Sequence, residues 1–122
     1  MKKLLIVDDE PNIVMSLEFV FKKENFEVFI ARDGAEAIEI AENKLPDLIL
    51  LDIMMPKVDG YQVLKYLKER DHLNKIKTII ISAKNKVSDI ELGLQLGADK
   101  YVAKPFSTKQ LVKEVNNLIK KK

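Results

Sequence analysis

Residues 48–52 read Leu-Ile-Leu-Leu-Asp, an uninterrupted apolar run that ends on an acid. The run is too short for a helix, and polar and apolar positions do not alternate within it. Parallel strands that are covered on both faces have this pattern, because neither face meets water. We therefore interpret Leu48 to Leu51 as a central strand of a parallel sheet.

Short apolar runs of this kind alternate with helical patterns along the whole chain. We predict strands at Lys3 to Val7, Glu27 to Ala31, Leu48 to Leu51, Thr78 to Ile81 and Lys100 to Ala103. Strands that alternate with helices are typical of βαβ units, in which successive strands lie parallel. The sequence therefore predicts a single α/β domain, residues 1–122, with a five-stranded parallel sheet and helices on both faces.

The helices between these strands are marked by their first residues. Pro11 fits the first turn of a helix that we expect to extend to Lys23, because proline costs no hydrogen bond there. Four later starts show a capping side chain three residues before an acid or an amide. These pairs are Asp33 with Glu36, Asp59 with Gln62, Ser88 with Glu91 and Ser107 with Gln110. Gly97 is expected to terminate the fourth helix in a left-handed conformation.

The polarity of the strands predicts their order in the sheet. Strands one, three and four are apolar, whereas strand two carries Glu27 and strand five carries Lys100 and Tyr101. Central strands are covered on both faces, and edge strands tolerate charge. This favours the order 2-1-3-4-5, a flavodoxin-like doubly wound fold. Ligands of such sheets bind at the carboxyl ends of the strands, where the chain reverses direction between strands one and three.

The composition excludes several classes of protein. The chain has 122 residues, of which 47% are hydrophobic and 33% are charged, as is typical of a globular domain. The net charge of +2 does not favour nucleic acid or a membrane surface as a partner. The chain has no cysteine and a single histidine, His72, so thiolate and paired-histidine metal sites are excluded. No apolar run approaches the roughly 20 residues of a membrane span, and we expect a cytoplasmic protein.

Three acids follow the ends of two predicted central strands. Asp8 and Asp9 come after strand one and Asp52 after strand three, so their carboxylates should converge at the reversal point. Such a cluster needs a cation, and an oxygen-only set with room for water and phosphate suits Mg²⁺. Ser82 ends strand four and Lys104 follows strand five, which adds a hydroxyl and an ammonium group. Acids, a metal, a hydroxyl and a lysine together indicate a phosphoryl-transfer site.

Five short fragments follow the predicted strands in order. They are IVDDEP at residues 6–11, LLDIMMPxxDG at 50–60, ISA at 81–83, GADxY at 97–101 and KPF at 104–106. Each fragment is weak alone, but five in this order, each after the expected strand, make a specific pattern. On these fragments the chain resembles the response-regulator receiver domains of two-component signalling, over essentially its whole length.

The resemblance implies roles for the residues at the carboxyl ends of the strands. Asp52 would accept a phosphoryl group from a phosphohistidine on a histidine kinase or a phosphotransfer protein. Asp9 and Asp52 would bind Mg²⁺ together with the backbone carbonyl of Met54, while Asp8 would act mainly through metal-bound water. Lys104 would pair with the phosphoryl oxygens. The chain would then be a signalling switch, with no enzymatic activity beyond its own phosphorylation and dephosphorylation.

The resemblance also implies how the switch would be read. The hydroxyl of Ser82 would be drawn inward on phosphorylation, and the ring of Tyr101 would turn inward with it. This would remodel the surface built by the fourth helix, the fifth strand and the fifth helix, through which the chain would control a partner or form a homodimer. The bond between Lys104 and Pro105 would be cis, as in relatives.

Two other functions remain as alternatives at this point. A Mg²⁺-dependent phosphatase or phosphotransferase with an aspartyl intermediate could use a similar sheet, although its acids are spaced D-x-D and it carries a cap segment. A flavin-binding module would need a phosphate loop after strand one, where the run Asp8-Asp9-Glu10 repels phosphate instead. We expect no output domain and no direct nucleic-acid binding within residues 1–122, so another protein or a following part of a longer regulator would provide the output.

Overall fold

The structure is a computed structural model that describes residues 1–55, 58–84 and 86–119. The described residues form five strands and five helices in strict alternation. They are β1 Lys3–Val7, α1 Pro11–Lys23, β2 Glu27–Ala31, α2 Gly34–Lys44, β3 Leu48–Leu51, α3 Gly60–Lys68, β4 Lys77–Ser82, α4 Val87–Gln95, β5 Lys100–Ala103 and α5 Thr108–Ile119. Four strands have the predicted bounds, and β4 is one residue longer at each end. The lysines predicted at the end of the last helix, positions 120–122, lie outside the described residues.

The strands form one parallel sheet in the order β2-β1-β3-β4-β5, which confirms the predicted topology. Every residue of β3 is buried, whereas β2 and β5 are partly exposed at the two edges. The apolar run of β3 is explained by its central position, where helices cover both faces of the sheet. Among the described residues, the structure has no helix that could span a membrane.

Two hydrophobic clusters fill the two faces of the sheet. Alternate residues of each strand point to opposite faces, so Leu50 packs with α1 and α5 while Leu51 packs with α2 and α3. On the first face the cluster includes Phe21 of α1 and Val115 of α5. On the second face it includes Leu64 of α3. The two layers fix the sheet between the helices and so fix the positions of the strand ends.

Three of the four predicted capping side chains are confirmed. Asp33 accepts a hydrogen bond from the backbone N–H of Glu36 at 2.8 Å, and Ser107 accepts one from Gln110 at 3.2 Å. Asp59 and Gln62 each accept a hydrogen bond from the other's backbone N–H at 3.0 Å, which forms a complete capping box.

The prediction that Ser88 caps the fourth helix is wrong. The helix α4 begins at Val87, two residues before the start that a Ser88 cap predicts, with Lys86 as the N-cap residue. The carboxylate of Asp89 reaches back and accepts a hydrogen bond from the backbone N–H of Lys86 at 3.3 Å, so an acid at the third position stabilises this start. Gly97 follows α4 with a φ of +112°, as predicted for the residue that terminates the helix.

Gly60, the first residue of α3, lies against the backbone that leaves β3. Its N–H donates to the carbonyl of Ile53 at 3.0 Å. A Cβ atom on Gly60 would meet the carbonyl oxygen of Asp52 and would lie 2.7 Å from the Cα atom of Ile53. Because both atoms belong to the backbone, neither can move aside cheaply. The absence of a side chain at Gly60 therefore lets α3 begin directly beside Asp52.

We expect Gly60→Ala to lower the free energy of unfolding by about 2 kcal/mol or more, because the added methyl group forces backbone apart. Gly93→Ala is the matched control, since its Cβ would meet the ends of the Ile80 and Tyr101 side chains rather than backbone. Urea unfolding of both variants measures the difference. Equal stability of Gly60→Ala and the native chain would contradict the close approach.

Candidate functional site

Two buried carboxylates lie side by side at the carboxyl edge of the sheet. The backbone N–H of Asp52 donates to the carbonyl of Val7 at 2.9 Å, and that of Asp8 donates to the carbonyl of Ala31 at 3.1 Å. Both acids thus continue the hydrogen-bond ladder one residue beyond β3 and β1. Each has only 3% of its surface exposed. Adjacent parallel strands therefore place the two carboxylates together, although 44 residues separate them in the sequence.

The ammonium group of Lys104 lies among the acids. Its Nζ atom is 2.7 Å from Oε1 of Glu10, 3.1 Å from Oδ2 of Asp8 and 3.8 Å from Oδ2 of Asp52. The backbone N–H of Lys104 donates to the carbonyl of Ser82 at 2.8 Å, and its bond to Pro105 is cis, as expected. The segment after β5 thus places an ammonium group at the edge of the sheet where the carboxylates that follow β1 and β3 lie.

Burial sets the charge states of these groups. Burial raises the pKa of Asp52 to about 6, and the charge of Asp8 adds to this rise. The ammonium of Lys104 and the N–H of Met54, which donates to Oδ1 of Asp52 at 3.4 Å, act in the opposite direction. Burial lowers the pKa of Lys104, but its hydrogen bonds to Glu10 and Asp8 more than offset this and raise it overall. Lys104 is therefore charged at neutral pH, and Asp52 is mostly ionised.

The site also offers oxygen ligands for a metal ion. One carboxylate oxygen each of Asp8, Glu10 and Asp52 lies within 4.8 Å of the others. Carboxylates without histidine or cysteine are the ligand set of a hard cation such as Mg²⁺. Buried carboxylates that repel one another gain most from such an ion. The residues present therefore fit the predicted Mg²⁺ site.

The predicted ligand Asp9 is not one of the three acids of this cluster, whereas the backbone N–H of Met54 contacts the cluster by donating to Oδ1 of Asp52. Asp9 is exposed, and it lines an open cleft of about 400 Å³ with Met54, Tyr61 and Lys84. The Met54 side chain is 58% exposed. The cleft lies beside the buried carboxylates, since its lining includes Asp9 and Ile53, which directly follow Asp8 and Asp52 in the chain.

Glu10 is the member of the cluster that our prediction missed. The residue is visible in the run Asp8-Asp9-Glu10 directly after β1, and this run was the signal that could have identified it. We assigned the carboxylates from the strand ends alone. Glu10 lies farther along the chain, and only the turn into α1 brings its side chain back toward Lys104.

The two predicted switch residues meet at one backbone segment. Ser82 is fully buried, and its Oγ accepts a hydrogen bond from the N–H of Lys84 at 3.1 Å. The half-buried Tyr101 donates its hydroxyl to the carbonyl of the same Lys84 at 2.6 Å. Burial raises the pKa of the Tyr101 phenol, so the hydroxyl keeps the proton that it donates. Ser82 and Tyr101 thus both hold the segment that leads from β4 to α4.

Comparisons with known proteins agree with this geometry. The response regulator receiver domain family matches residues 4–116. The alkaline phosphatase synthesis transcriptional regulatory protein PhoP of Bacillus subtilis is 41% identical over 120 residues, which are 98% of this chain and 49% of PhoP. The chain thus spans about half the length of that relative.

Solved structures show the same fold. The receiver domain of a Francisella response regulator is 33% identical and superposes with a TM-score of 0.92, covering 98% of each chain. The receiver domain of a Pseudomonas aeruginosa sensor histidine kinase is 28% identical with a TM-score of 0.90, again over 98% of each chain. That structure holds a magnesium ion coordinated in its active-site cleft. With its family match over nearly the whole length, its sheet order and its acidic edge, the chain belongs to the response-regulator receiver domains of two-component systems.

Proposed function

We propose that this receiver domain accepts a phosphoryl group on Asp52 from a phosphohistidine of a histidine kinase or phosphotransfer protein, with Mg²⁺ bound beside it. The observation that carries the proposal is the pairing of two buried carboxylates, Asp8 and Asp52, with the ammonium of Lys104 at the carboxyl edge of the sheet. The open cleft beside this edge supports access by a partner's imidazole.

In the proposed transfer, a carboxylate oxygen of Asp52 attacks phosphorus while the bond from phosphorus to the imidazole nitrogen breaks. The electron pair of that bond stays on the imidazole, and Asp52 becomes an aspartyl phosphate. Asp52 needs no general base, because it is mostly ionised at neutral pH. Lys104 stabilises charge on the phosphoryl oxygens in the transition state. The N–H of Met54 orients the Asp52 carboxylate through its hydrogen bond to Oδ1.

Asp8, Asp9, Asp52 and the carbonyl of Met54 are the residues that we propose to hold Mg²⁺, with Asp8 acting mainly through water. Bound there, the ion neutralises charge on both the acceptor and the transferring group. The short distances between the carboxylates of Asp8, Glu10 and Asp52 support a cation at this edge.

We propose that the surface of α4, β5 and α5 carries the output, either by docking to a partner or by forming a homodimer. Three large apolar side chains are exposed on α4, namely Val87 at 71%, Leu92 at 42% and Leu94 at 46%. The hydrogen bonds of Ser82 and Tyr101 to Lys84 connect the acidic edge to this helix. The half-length match to PhoP supports an output outside residues 1–122.

The acceptor is tested by intact mass after incubation with acetyl phosphate. We expect one phosphoryl adduct on the native chain with Mg²⁺, little without Mg²⁺, and none on Asp52→Asn. Asp71→Asn is the control, because Asp71 is an exposed acid after α3 and should label normally. Labelling of Asp52→Asn would refute the assignment, and continuous release of phosphate in excess of protein would favour the phosphatase alternative.

The buried charge of Asp52 should also appear as a pH-dependent stability. Its pKa is raised from 3.8 to about 6 in the folded chain, so ionisation disfavours the folded state. The penalty is absent below about pH 4, grows as pH rises through 6 and reaches about 3 kcal/mol at neutral pH. In chelator we therefore expect Asp52→Asn to be more stable than the native chain at neutral pH, and to lose this advantage near pH 4.

Urea unfolding across this pH range measures the difference, and added Mg²⁺ should stabilise the native chain more than Asp52→Asn. Asp71→Asn again serves as the control, because it removes an exposed acid outside the cluster. A stability difference that stays constant from acid to neutral pH would contradict a raised pKa at Asp52.

Lys104→Ala should separate phosphorylation from the surface change. We expect the variant to label with acetyl phosphate more slowly, while the amide NMR signals of α4 and α5 no longer shift on labelling. The physical reason is that Lys104 connects the acidic edge to the segment after β5 through its ammonium and its backbone. Lys109→Ala, at an exposed position of α5, is the control. Native-like shifts in labelled Lys104→Ala would show that the lysine does not transmit the change.

A further inference from the structure

Glu10 makes the shortest of the three contacts between the Lys104 ammonium and an acid. The distance is 2.7 Å to Glu10, against 3.1 Å to Asp8 and 3.8 Å to Asp52. In this state the ammonium is therefore held nearer to Glu10 than to the proposed phosphoacceptor. Only 11% of the Lys104 side chain is exposed, so its few partners determine where its charge lies.

The backbone of Glu10 explains why its side chain is available to Lys104. Glu10 is the N-cap residue of α1, and its own N–H donates to Oδ1 of Asp8 at 2.9 Å. Acids at a helix start commonly accept hydrogen bonds from the first turn, but within the described chain the Glu10 side chain makes no such bond. The carboxylate instead turns to Lys104. The contact with Asp8 thus fixes the Glu10 backbone, while the side chain binds the lysine.

We propose that Glu10 is a positioning residue that holds the Lys104 ammonium in the unphosphorylated state and competes with the phosphoryl group for it. The proposal rests on the proposed function, because it concerns the lysine that would bind the phosphoryl oxygens. Glu10 would act through Lys104 and would not touch the phosphoryl group itself.

The competition has a definite direction. In the proposal, the ammonium moves away from its 2.7 Å contact with Glu10 as it approaches a phosphoryl group on Asp52, whose carboxylate is now 3.8 Å from it. The free energy of the Glu10 contact is then subtracted from the affinity of the site for the anion. Glu10 is 58% exposed, so solvent screens the contact and its contribution resembles that of a surface ion pair, which corresponds to about a fivefold change in affinity.

The test measures binding of beryllofluoride, a phosphoryl mimic, by fluorine NMR with Mg²⁺ at saturation for each variant. We expect Glu10→Gln to bind it about fivefold more tightly than the native chain. Glu10→Asp keeps the negative charge but shortens the side chain by one methylene, so it loses the 2.7 Å contact. We expect Glu10→Asp to bind beryllofluoride more tightly as well, because the contact and not the charge holds the lysine.

A double-mutant cycle isolates the role of the lysine. In the Lys104→Ala background, Glu10→Gln should no longer change the affinity, because the group for which Glu10 competes is gone. The proposal would be overturned if either Glu10→Gln or Glu10→Asp bound beryllofluoride with the affinity of the native chain. It would also be overturned if Glu10→Gln raised the affinity by the full amount in the Lys104→Ala background. If the native chain binds no beryllofluoride and gains no phosphoryl adduct, the proposed function itself fails, which is a different outcome.

Discussion

The burial of two carboxylates at one edge of the sheet is the constraint on which the site depends. Asp8 and Asp52 are each 97% buried, and the charge of Asp8 raises the pKa of Asp52. Burying like charges side by side is unfavourable unless a cation offsets them. Lys104 is the cation that the chain itself supplies. Its pairing with the acids ties the segment after β5 to the ends of β1 and β3, although β4 separates them in the sheet.

The same electrostatic balance connects stability with the proposed chemistry. If Asp52 were fully solvated, it would ionise without destabilising the folded chain. A metal ion or a phosphoryl group that bound there would then have no unfavourable buried charge to relieve. Here the cluster of Asp8, Glu10 and Asp52 exceeds the charge of Lys104, so one further cation stabilises it. The backbone N–H of Lys104 donates to the carbonyl of Ser82, so the proposed movement of the ammonium toward an incoming anion would act on the segment that also holds Ser82.

The fold could be predicted from the sequence because the amino-acid composition of each strand indicates whether that strand is central or at an edge. The apolar run Leu48 to Leu51 required a central position, and the charges of Glu27 and Lys100 placed their strands at the edges. The strand ends then placed Asp8, Asp52 and Lys104 together without knowledge of side-chain geometry. Two local features were not predicted, namely the first residue of α4 and the position of the Glu10 side chain. The start of α4 depended on Asp89 rather than Ser88, and only Ser88 with Glu91 satisfies the capping pattern in sequence, because Lys86 is not a typical capping residue.

Glu10 escaped for a different reason, because its position is determined by a turn rather than by a strand. Strand periodicity predicts side-chain direction only while the backbone stays extended, and Glu10 lies where β1 gives way to α1. The backbone N–H of Glu10 donates to Asp8, so the position of Glu10 depends on another residue of the same site. A residue of this kind is therefore fixed by the cluster itself.

Two tyrosines connect the acidic edge to the exposed face of α4. Tyr101 donates to the carbonyl of Lys84, and Tyr61 of the cleft donates to the carbonyl of Asp89 at 3.2 Å. These carbonyls lie at the start of the segment after β4 and in the first turn of α4. Because Ser82 binds the N–H of Lys84, an inward shift of its hydroxyl would weaken one attachment while Tyr61 kept the other. The proposed shift of Ser82 would therefore act at Lys84, while the hydrogen bond from Tyr61 would still hold the first turn of α4.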